Sequence, residues 1–224
     1  MGLPPLLLYY ITDRAQFPGT ERQRRERLMK KISEPAAAGV DYIQLREKDL
    51  SGRALEFLAK DVAQIICESR TSTRLLINSR ADIALAAEAN GVHLTSNDIS
   101  PNDVRKMWQE VKRSSDPVIA VSCHNQAEVL AAERAPDRVA EGARTAANFV
   151  VFGPVFEKRG AKNISGIGDL KKVCRHAIPV LALGGVTTEN AHLCLEAGAS
   201  GIAGIRLFQE NEVATVVTKL RGLK

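Results

Sequence analysis

Short apolar runs alternate along the chain with longer stretches of helical periodicity. The runs are too short for helices and are rich in Val, Ile and Leu, which is typical of buried strands. The eight predicted strands are Leu6–Thr12, Tyr42–Arg46, Leu75–Asn78, Gly91–Leu94, Val118–Ser122, Phe149–Gly153, Val180–Leu183 and Gly201–Ile205. The predicted helices are Arg22–Ala38, Gly52–Arg70, Ala81–Ala89, Pro101–Arg113, Asn125–Arg134, Asp169–His176, Glu189–Ala197 and Glu210–Leu220.

Eight strand–helix units within 224 residues predict an α/β fold of the (β/α)8, or TIM, barrel type, with residues 1–224 as a single domain. A doubly wound sheet is the alternative architecture. That sheet usually has fewer strands and a glycine-rich turn after the first one. Here the first strand runs into Thr12-Asp13-Arg14, which contains no glycine, so the barrel is the better prediction.

Composition restricts the classes of function. The formal charge is +5, and much of the excess lies between Glu21 and Lys31, where acidic residues are interspersed. Such mixing indicates the solvated face of a helix, and no nucleic-acid-binding signature accompanies it. The apolar segment from Leu3 to Ile11 is too short to span a membrane. We therefore expect small-molecule ligands, with neither nucleic acid nor membrane as a partner.

The four cysteines bear on the cellular compartment. They lie far apart and form no Cys-x-x-Cys pair, so neither a zinc site nor a disulfide framework is indicated. A reducing cytoplasm is the expected location.

The second predicted strand carries the most informative polar residues. Gln44, Arg46 and Lys48 alternate with Ile43, Leu45 and Glu47, so the strand period is expected to turn the first three to one side. An amide and two cations suit a ligand with a hydrogen-bonding ring and a phosphate. The alternative is a strand end whose charges meet only water.

Other polar residues stand at or after predicted strand ends, where barrels of this type place their chemistry. Asn78 and His93 are candidate ligand-binding residues, although a buried Asn that fixes a loop and a core histidine are ordinary alternatives. Ser122 and His124 follow the fifth strand, and His124 can exchange a proton with a ligand. Asp98 offers oxygens of the kind that Mg²⁺ prefers, or else caps the turn before Ser100.

Glycines and cations near the last strands predict anion binding. Gly184-Gly185, followed by a helix expected to begin near Thr188, offers backbone N–H groups to a phosphate. The turn Gly204-Ile205-Arg206 adds further N–H groups and a guanidinium. After the sixth strand, Lys158, Arg159 and Lys162 predict either a lid over an anionic group or an ordinary solvated loop.

Taken together, these residues resemble the thiamin phosphate synthase / TenI family over nearly the whole chain. The segments that carry the resemblance are Tyr10-Ile11-Thr12-Asp13-Arg14, Gln44-Leu45-Arg46-Glu47-Lys48, Ile77-Asn78-Ser79-Arg80-Ala81-Asp82, Asn90-Gly91-Val92-His93-Leu94, Val121-Ser122-Cys123-His124, Phe152-Gly153-Pro154-Val155-Phe156, Ala182-Leu183-Gly184-Gly185-Val186 and Ala197-Gly198-Ala199-Ser200-Gly201. Their order and spacing agree with the family.

The resemblance implies a barrel that is often dimeric and a transferase of thiamin biosynthesis. In that reaction a hydroxymethylpyrimidine pyrophosphate loses pyrophosphate with Mg²⁺ assistance, and the nitrogen of a thiazole phosphate captures the pyrimidine carbocation. By matching position, residues of this chain have four implied roles. The pyrimidine would contact Gln44, Asn78 and His93, and the pyrophosphate would contact Arg46, Lys48 and Ser122. The thiazole phosphate would bind to Gly185 and the Gly204–Arg206 turn, and Asp98 would bind Mg²⁺.

Two positions depart from the synthase pattern. Ser79 stands where synthases have a metal-binding Asp, and the residues from Glu157 to Lys162 replace a Thr-x-Thr-Lys motif. These departures leave two alternatives. One is a TenI-type thiazole tautomerase that uses His124 as acid and base, and the other is a non-catalytic sensor of thiazole or thiamin phosphate.

Overall fold

The computed structural model describes residues 5–113, 115–134, 146–156 and 165–223. Its eight strands follow one another in chain order around a closed parallel barrel, which confirms the predicted (β/α)8 fold. The strands are β1 (Leu7–Ile11), β2 (Tyr42–Leu45), β3 (Arg74–Asn78), β4 (Gly91–Leu94), β5 (Val118–Cys123), β6 (Phe149–Phe152), β7 (Val180–Ala182) and β8 (Gly201–Gly204). Each one corresponds to a predicted apolar run.

The helices agree with the predicted ones in order but differ at their ends. They are α1 (Glu21–Ala37), α2 (Gly52–Ser69), α3 (Ala81–Ala86), α4 (Pro101–Glu110), α5 (Gln126–Glu133), α6 (Gly166–Val173), α7 (Ala191–Glu196), α8 (Arg206–Gln209) and α9 (Val213–Arg221), and a 3-10 turn spans Arg14–Gln16. The short α8 was not predicted. Four residues are too few to show helical periodicity in a sequence.

Side-chain caps fix several helix starts. Thr20 and Gln23 form a capping box at α1, and Ser51 caps α2. Ser100 caps α4 with Pro101 in the first turn, as predicted. At α7 the prediction was wrong, because the helix begins at Ala191 rather than near Thr188.

The residues before α7 form a turn instead. The hydroxyl of Thr187 accepts hydrogen bonds from the backbone N–H groups of Glu189 and Asn190, at 3.2 and 3.4 Å. A hydroxyl that accepts from the N–H groups two and three residues further on makes the contacts of an N-cap, and these donors have no partner inside a helix.

Replacing Ser100 by alanine is expected to lower the free energy of unfolding by about 1 kcal/mol, since its Oγ accepts from the backbone N–H of Asp103 at 3.2 Å. The Ser100→Asn variant keeps a side-chain acceptor and should retain most of the stability. Urea unfolding followed by circular dichroism measures both variants. Equal losses for the two would contradict the capping role.

Contacts divide the chain into two compact units. The central unit comprises Met1–Leu6 and His93–Ala203, and the terminal unit comprises Leu7–Val92 and Gly204–Lys224. Single-domain organisation remains a prediction.

In the terminal unit, β1, β2 and β3 pair in parallel, with Ile11 opposite Gln44 and Gln44 opposite Leu76. Helix α2 packs beside α1 and buries a stripe of residues at helical spacing. That stripe contains Leu55, Leu58, Ala59, Val62 and Ile66. Arg221 of α9 donates to the carboxylate of Asp41 at 2.9 Å, and the same oxygen accepts from the backbone of Leu8.

In the central unit, β5, β6, β7 and β8 pair in parallel and are buried along nearly their whole length. Continuous burial agrees with their uninterrupted apolar sequences, because helices cover such strands. Within the described residues, none of the helices combines the length and apolar character that a membrane crossing needs.

Candidate active site

Gln44 and Asn78 form a chain of amides in the terminal unit. Gln44 Nε2 donates to Asn78 Oδ1 at 2.8 Å, and Asn78 Nδ2 donates to Ser79 Oγ at 3.0 Å. The remaining oxygen of Gln44, Oε1, is buried and has no hydrogen-bond partner among the described residues. A buried acceptor left unpaired is costly, so a donor from a bound ligand would be favoured there.

The two cations after β2 differ in their surroundings. Arg46 is half-buried and its backbone N–H donates to Thr12 Oγ1 at 3.0 Å, whereas Lys48 lies exposed in a turn. Strand β2 ends at Leu45, so the strand period does not extend to Lys48. Within the described part of the chain, neither side-chain cation forms an ion pair. Both remain available to an anion.

A partly buried ionic cluster, which the sequence pattern did not indicate, lies beside these cations. We call Thr12, Arg14, Glu21, Glu47 and Asp49 the Arg14 cluster. Arg14 is only 3% exposed, and its guanidinium donates to all three carboxylates. Residues 10–14 and 44–48 are among the segments that resemble the family, and this resemblance was the available signal. Nothing in these segments indicated that Arg14 and Glu47 are buried.

His93 and Ser122 form a pair in the central unit. His93 is buried, and its Nε2 lies 2.7 Å from Ser122 Oγ. The two residues lie 29 positions apart in the chain, so folding brings them into contact. This pair orients the Ser122 hydroxyl at the carboxyl end of β5.

His124 is exposed just after β5. Its Nδ1 lies 2.6 Å from the carbonyl oxygen of Gly153, and its backbone N–H donates to Glu128 at 2.6 Å. A carbonyl oxygen only accepts, so Nδ1 carries the proton and the neutral ring has Nε2 as its acceptor. Cys123 beside it is buried, and burial raises the pKa of its thiol to about 12, which disfavours a nucleophilic thiolate.

Asp98 closes the turn that follows β4. Its Oδ2 accepts from the backbone N–H and the hydroxyl of Thr95, at 2.6 and 2.8 Å. Asp98 therefore acts as a turn residue, as one of its two predicted roles required, and its carboxylate is held in place. Within the described residues, no three His, Cys, Asp or Glu side chains are grouped so as to hold a metal ion.

The glycine pair after β7 adopts a backbone that few other residues accept. Gly184 and Gly185 have φ angles of +96° and +64°. The carbonyl oxygen of Gly184 accepts from the backbone of Phe156 at 3.0 Å, and that of Gly185 accepts from the Asn190 side chain at 3.0 Å. Both carbonyl oxygens of the turn are therefore bonded to protein groups.

Gly204 ends β8 in the terminal unit, and Ile205 precedes α8 as its N-cap. Arg206 is exposed on the first position of α8. The predicted lid residues Lys158, Arg159 and Lys162 lie outside the described residues.

Comparison with known proteins reveals whole-chain similarity. The model of a family described as thiamine monophosphate synthase matches residues 8–208. The thiamine-phosphate synthase of Clostridium novyi is 32% identical over 209 residues, which cover 92% of this chain and 91% of that protein. The corresponding protein of Clostridium tetani is 33% identical over 217 residues, covering 96% and 94%.

A solved structure agrees with the fold. The thiamine phosphate pyrophosphorylase from Pyrococcus furiosus superposes with a TM-score of 0.74 at 27% identity, covering 97% of this chain and 95% of that one.

Proposed function

Because the chain belongs to the thiamine monophosphate synthase family, we propose that it joins a hydroxymethylpyrimidine pyrophosphate to a thiazole phosphate, giving thiamin phosphate and pyrophosphate. The observation that carries this proposal is the family match across residues 8–208. The names of the relatives favour the synthase over a tautomerase or a sensor.

The cations after β2 suit the first step. When the carbon–oxygen bond ionises, the electron pair leaves with the pyrophosphate and the pyrimidine methylene becomes a carbocation. We assign Arg46 and Lys48, with the Ser122 hydroxyl, to the departing pyrophosphate. Preorganised cations and donors that face developing negative charge lower the barrier of such a step. Arg46 is half-buried, which strengthens its interaction with an anion relative to that in water.

The remaining residues hold the two rings for the second step, in which the thiazole nitrogen donates its electron pair to the carbocation. Gln44 and Asn78, with His93, are assigned to the pyrimidine, since Gln44 Oε1 needs a donor and an aminopyrimidine supplies one. The glycine pair and the Gly204–Arg206 turn are assigned to the thiazole phosphate. The cations Lys158, Arg159 and Lys162, which lie outside the described residues, are assigned to anion binding.

Asp98 is the residue that would hold Mg²⁺. This ion is commonly bound through one or two carboxylates together with substrate phosphate oxygens, and a single fixed carboxylate fits that mode. When bound, Mg²⁺ supplies neutralising charge to pyrophosphate oxygens. Ser79 offers a hydroxyl in place of a second carboxylate, so we expect weak metal binding without substrate.

Two broader features belong to the same proposal. We infer a cytoplasmic enzyme because all four cysteines are free thiols. We infer a homodimer from the family resemblance, which gel filtration with light scattering can test.

Incubation of the purified protein with both substrates and Mg²⁺ is expected to yield thiamin phosphate and pyrophosphate in equal amounts. Quantification by liquid chromatography and a coupled pyrophosphate assay measures the two products. Reactions that lack either substrate serve as controls. Isomerisation of a thiazole carboxylate phosphate without any coupled product would overturn the proposal.

A further inference from the structure

The Arg14 cluster includes Glu47 and Asp49, which alternate in sequence with the cations assigned to pyrophosphate. Arg14 Nη1 and Nη2 donate to the two oxygens of Asp49 at 2.7 and 2.8 Å, and Nη1 also donates to Glu47 at 3.0 Å. Arg14 Nε donates to Glu21 at 2.6 Å. All three nitrogens of one guanidinium therefore donate to carboxylates, and two of the three carboxylates belong to the segment after β2.

Glu47 is fixed from more than one direction. It is 4% exposed and accepts from Thr12 Oγ1 at 2.6 Å as well as from the backbone N–H of Arg14. Burial raises the pKa of Glu47, and the bonds from Thr12 and Arg14 act in the opposite direction. Bonds from Arg14 lower the pKa of Asp49. Three donors, Thr12 Oγ1 and the backbone N–H and Nη1 of Arg14, thus converge on the Glu47 carboxyl group.

The spacing of the held residues explains what the cluster does. Residues 47 and 49 are bound by Arg14, while Arg46 and Lys48 alternate with them and form no ion pair within the described residues. Thr12 Oγ1 also accepts from the backbone N–H of Arg46 at 3.0 Å. The segment is thus held at residues 46, 47 and 49, and the two cations are left for a ligand.

The cluster also has an electrostatic consequence. Glu47 and Asp49 are the carboxylates nearest in sequence to Arg46 and Lys48, and released side chains would compete with an anionic ligand for these cations. Arg14 prevents that pairing by engaging both carboxylates itself.

We infer that Arg14 is a positioning residue that acts through Glu47 and Asp49 to hold Arg46 and Lys48 in place for a pyrophosphate group. This inference rests on the proposed function for the identity of the anion. Arg14 itself is buried and bonded to protein groups, so it acts through its neighbours.

The Asp49→Asn variant tests the inference because a purely electrostatic role and a positioning role of Asp49 predict opposite changes in pyrophosphate affinity. Removing a negative charge beside two cations strengthens anion binding if only charge matters. Loss of the bidentate contact to Arg14 weakens anion binding if the cluster positions the cations. We expect the dissociation constant for inorganic pyrophosphate, measured by titration calorimetry, to rise roughly fivefold to tenfold. Asp49 is 69% exposed, so the variant is expected to fold.

Matched variants complete the experiment. Asp61→Asn on α2 removes an equal charge from an exposed ion pair with Arg25 of α1, and pyrophosphate binding should stay unchanged. Asp49→Glu restores a carboxylate and should recover part of the affinity. Arg14→Lys keeps the charge but loses the fork, and should weaken binding at least as much as Asp49→Asn.

Kinetics separates this inference from the proposed function. In Asp49→Asn, the KM for the pyrimidine pyrophosphate should rise while the KM for the thiazole phosphate stays unchanged. Unchanged or tighter pyrophosphate binding in an active Asp49→Asn enzyme would overturn the positioning role alone. A wild-type protein without coupling activity would instead overturn the proposed function.

Discussion

Replacement of Arg46 by alanine is expected to lower kcat/KM for thiamin phosphate formation by about 100- to 1,000-fold, the usual cost of removing one group that stabilises transition-state charge. Arg46 is half-buried after β2, and it has no ion-pair partner within the described chain. Negative charge grows on the pyrophosphate as its bond to carbon breaks, so loss of this guanidinium should lower kcat as well as raise KM. Steady-state kinetics with both substrates measures the effect.

Two companion variants sharpen that experiment. Arg74→Ala removes an exposed arginine at the first residue of β3, the opposite end of a neighbouring strand, and should leave the kinetics unchanged. Arg46→Lys keeps a cation without the fork and should give an intermediate rate. Wild-type kinetics in Arg46→Ala would remove this residue from the leaving-group site.

Replacement of Gly184 by alanine is expected to lower the free energy of unfolding by about 3–5 kcal/mol. An added Cβ would lie 2.6 Å from both Cα and Cβ of Pro154, and the φ of +96° is unfavourable for any L side chain. The Cα belongs to the backbone, so no change of rotamer relieves the contact. Backbone bonds from Val155 to Leu183 and from Phe156 to Gly184 would be strained together.

Gly166→Ala is the matched control for this prediction. Gly166 has a similar positive φ of +74°, but an added Cβ would meet nothing within 4 Å among the described residues. Its cost should therefore be limited to the backbone conformation, about 1 kcal/mol. Urea unfolding of both variants measures the difference. Similar losses at the two positions would show that φ alone, and not the contact with Pro154, limits residue 184.

Much of the fold could be predicted because the relevant signals are local. The eight apolar runs correspond to the eight strands, and Ser100-Pro101 marked the start of α4. Element ends were less certain. The helix predicted over Glu189–Ala197 begins at Ala191, after a turn in which the Thr187 hydroxyl accepts from the backbone N–H groups of Glu189 and Asn190.

The candidate site was predicted in its residues but not in its contacts. Gln44, Arg46, Asn78, Ser122 and His124 were all recognisable from their positions at strand ends. The sequence did not indicate that Gln44 bonds to Asn78, or that His93 bonds to Ser122. Each of these pairs joins residues about 30 positions apart, and one strand–helix unit separates them in the chain.

Local patterns in the chain were enough to predict the order of strands and helices, the glycines that permit positive φ, and the residue types that can bind phosphate. These properties follow from side-chain periodicity and from local backbone sterics. Only the tertiary structure decided which charges are buried. Arg14, Glu47 and Asp49 look like ordinary surface charges in the sequence, yet pairing between the ends of β1 and β2 buries Arg14 and Glu47 and leaves Arg46 and Lys48 available. Burial and partner choice depend on long-range packing, which a linear pattern does not specify.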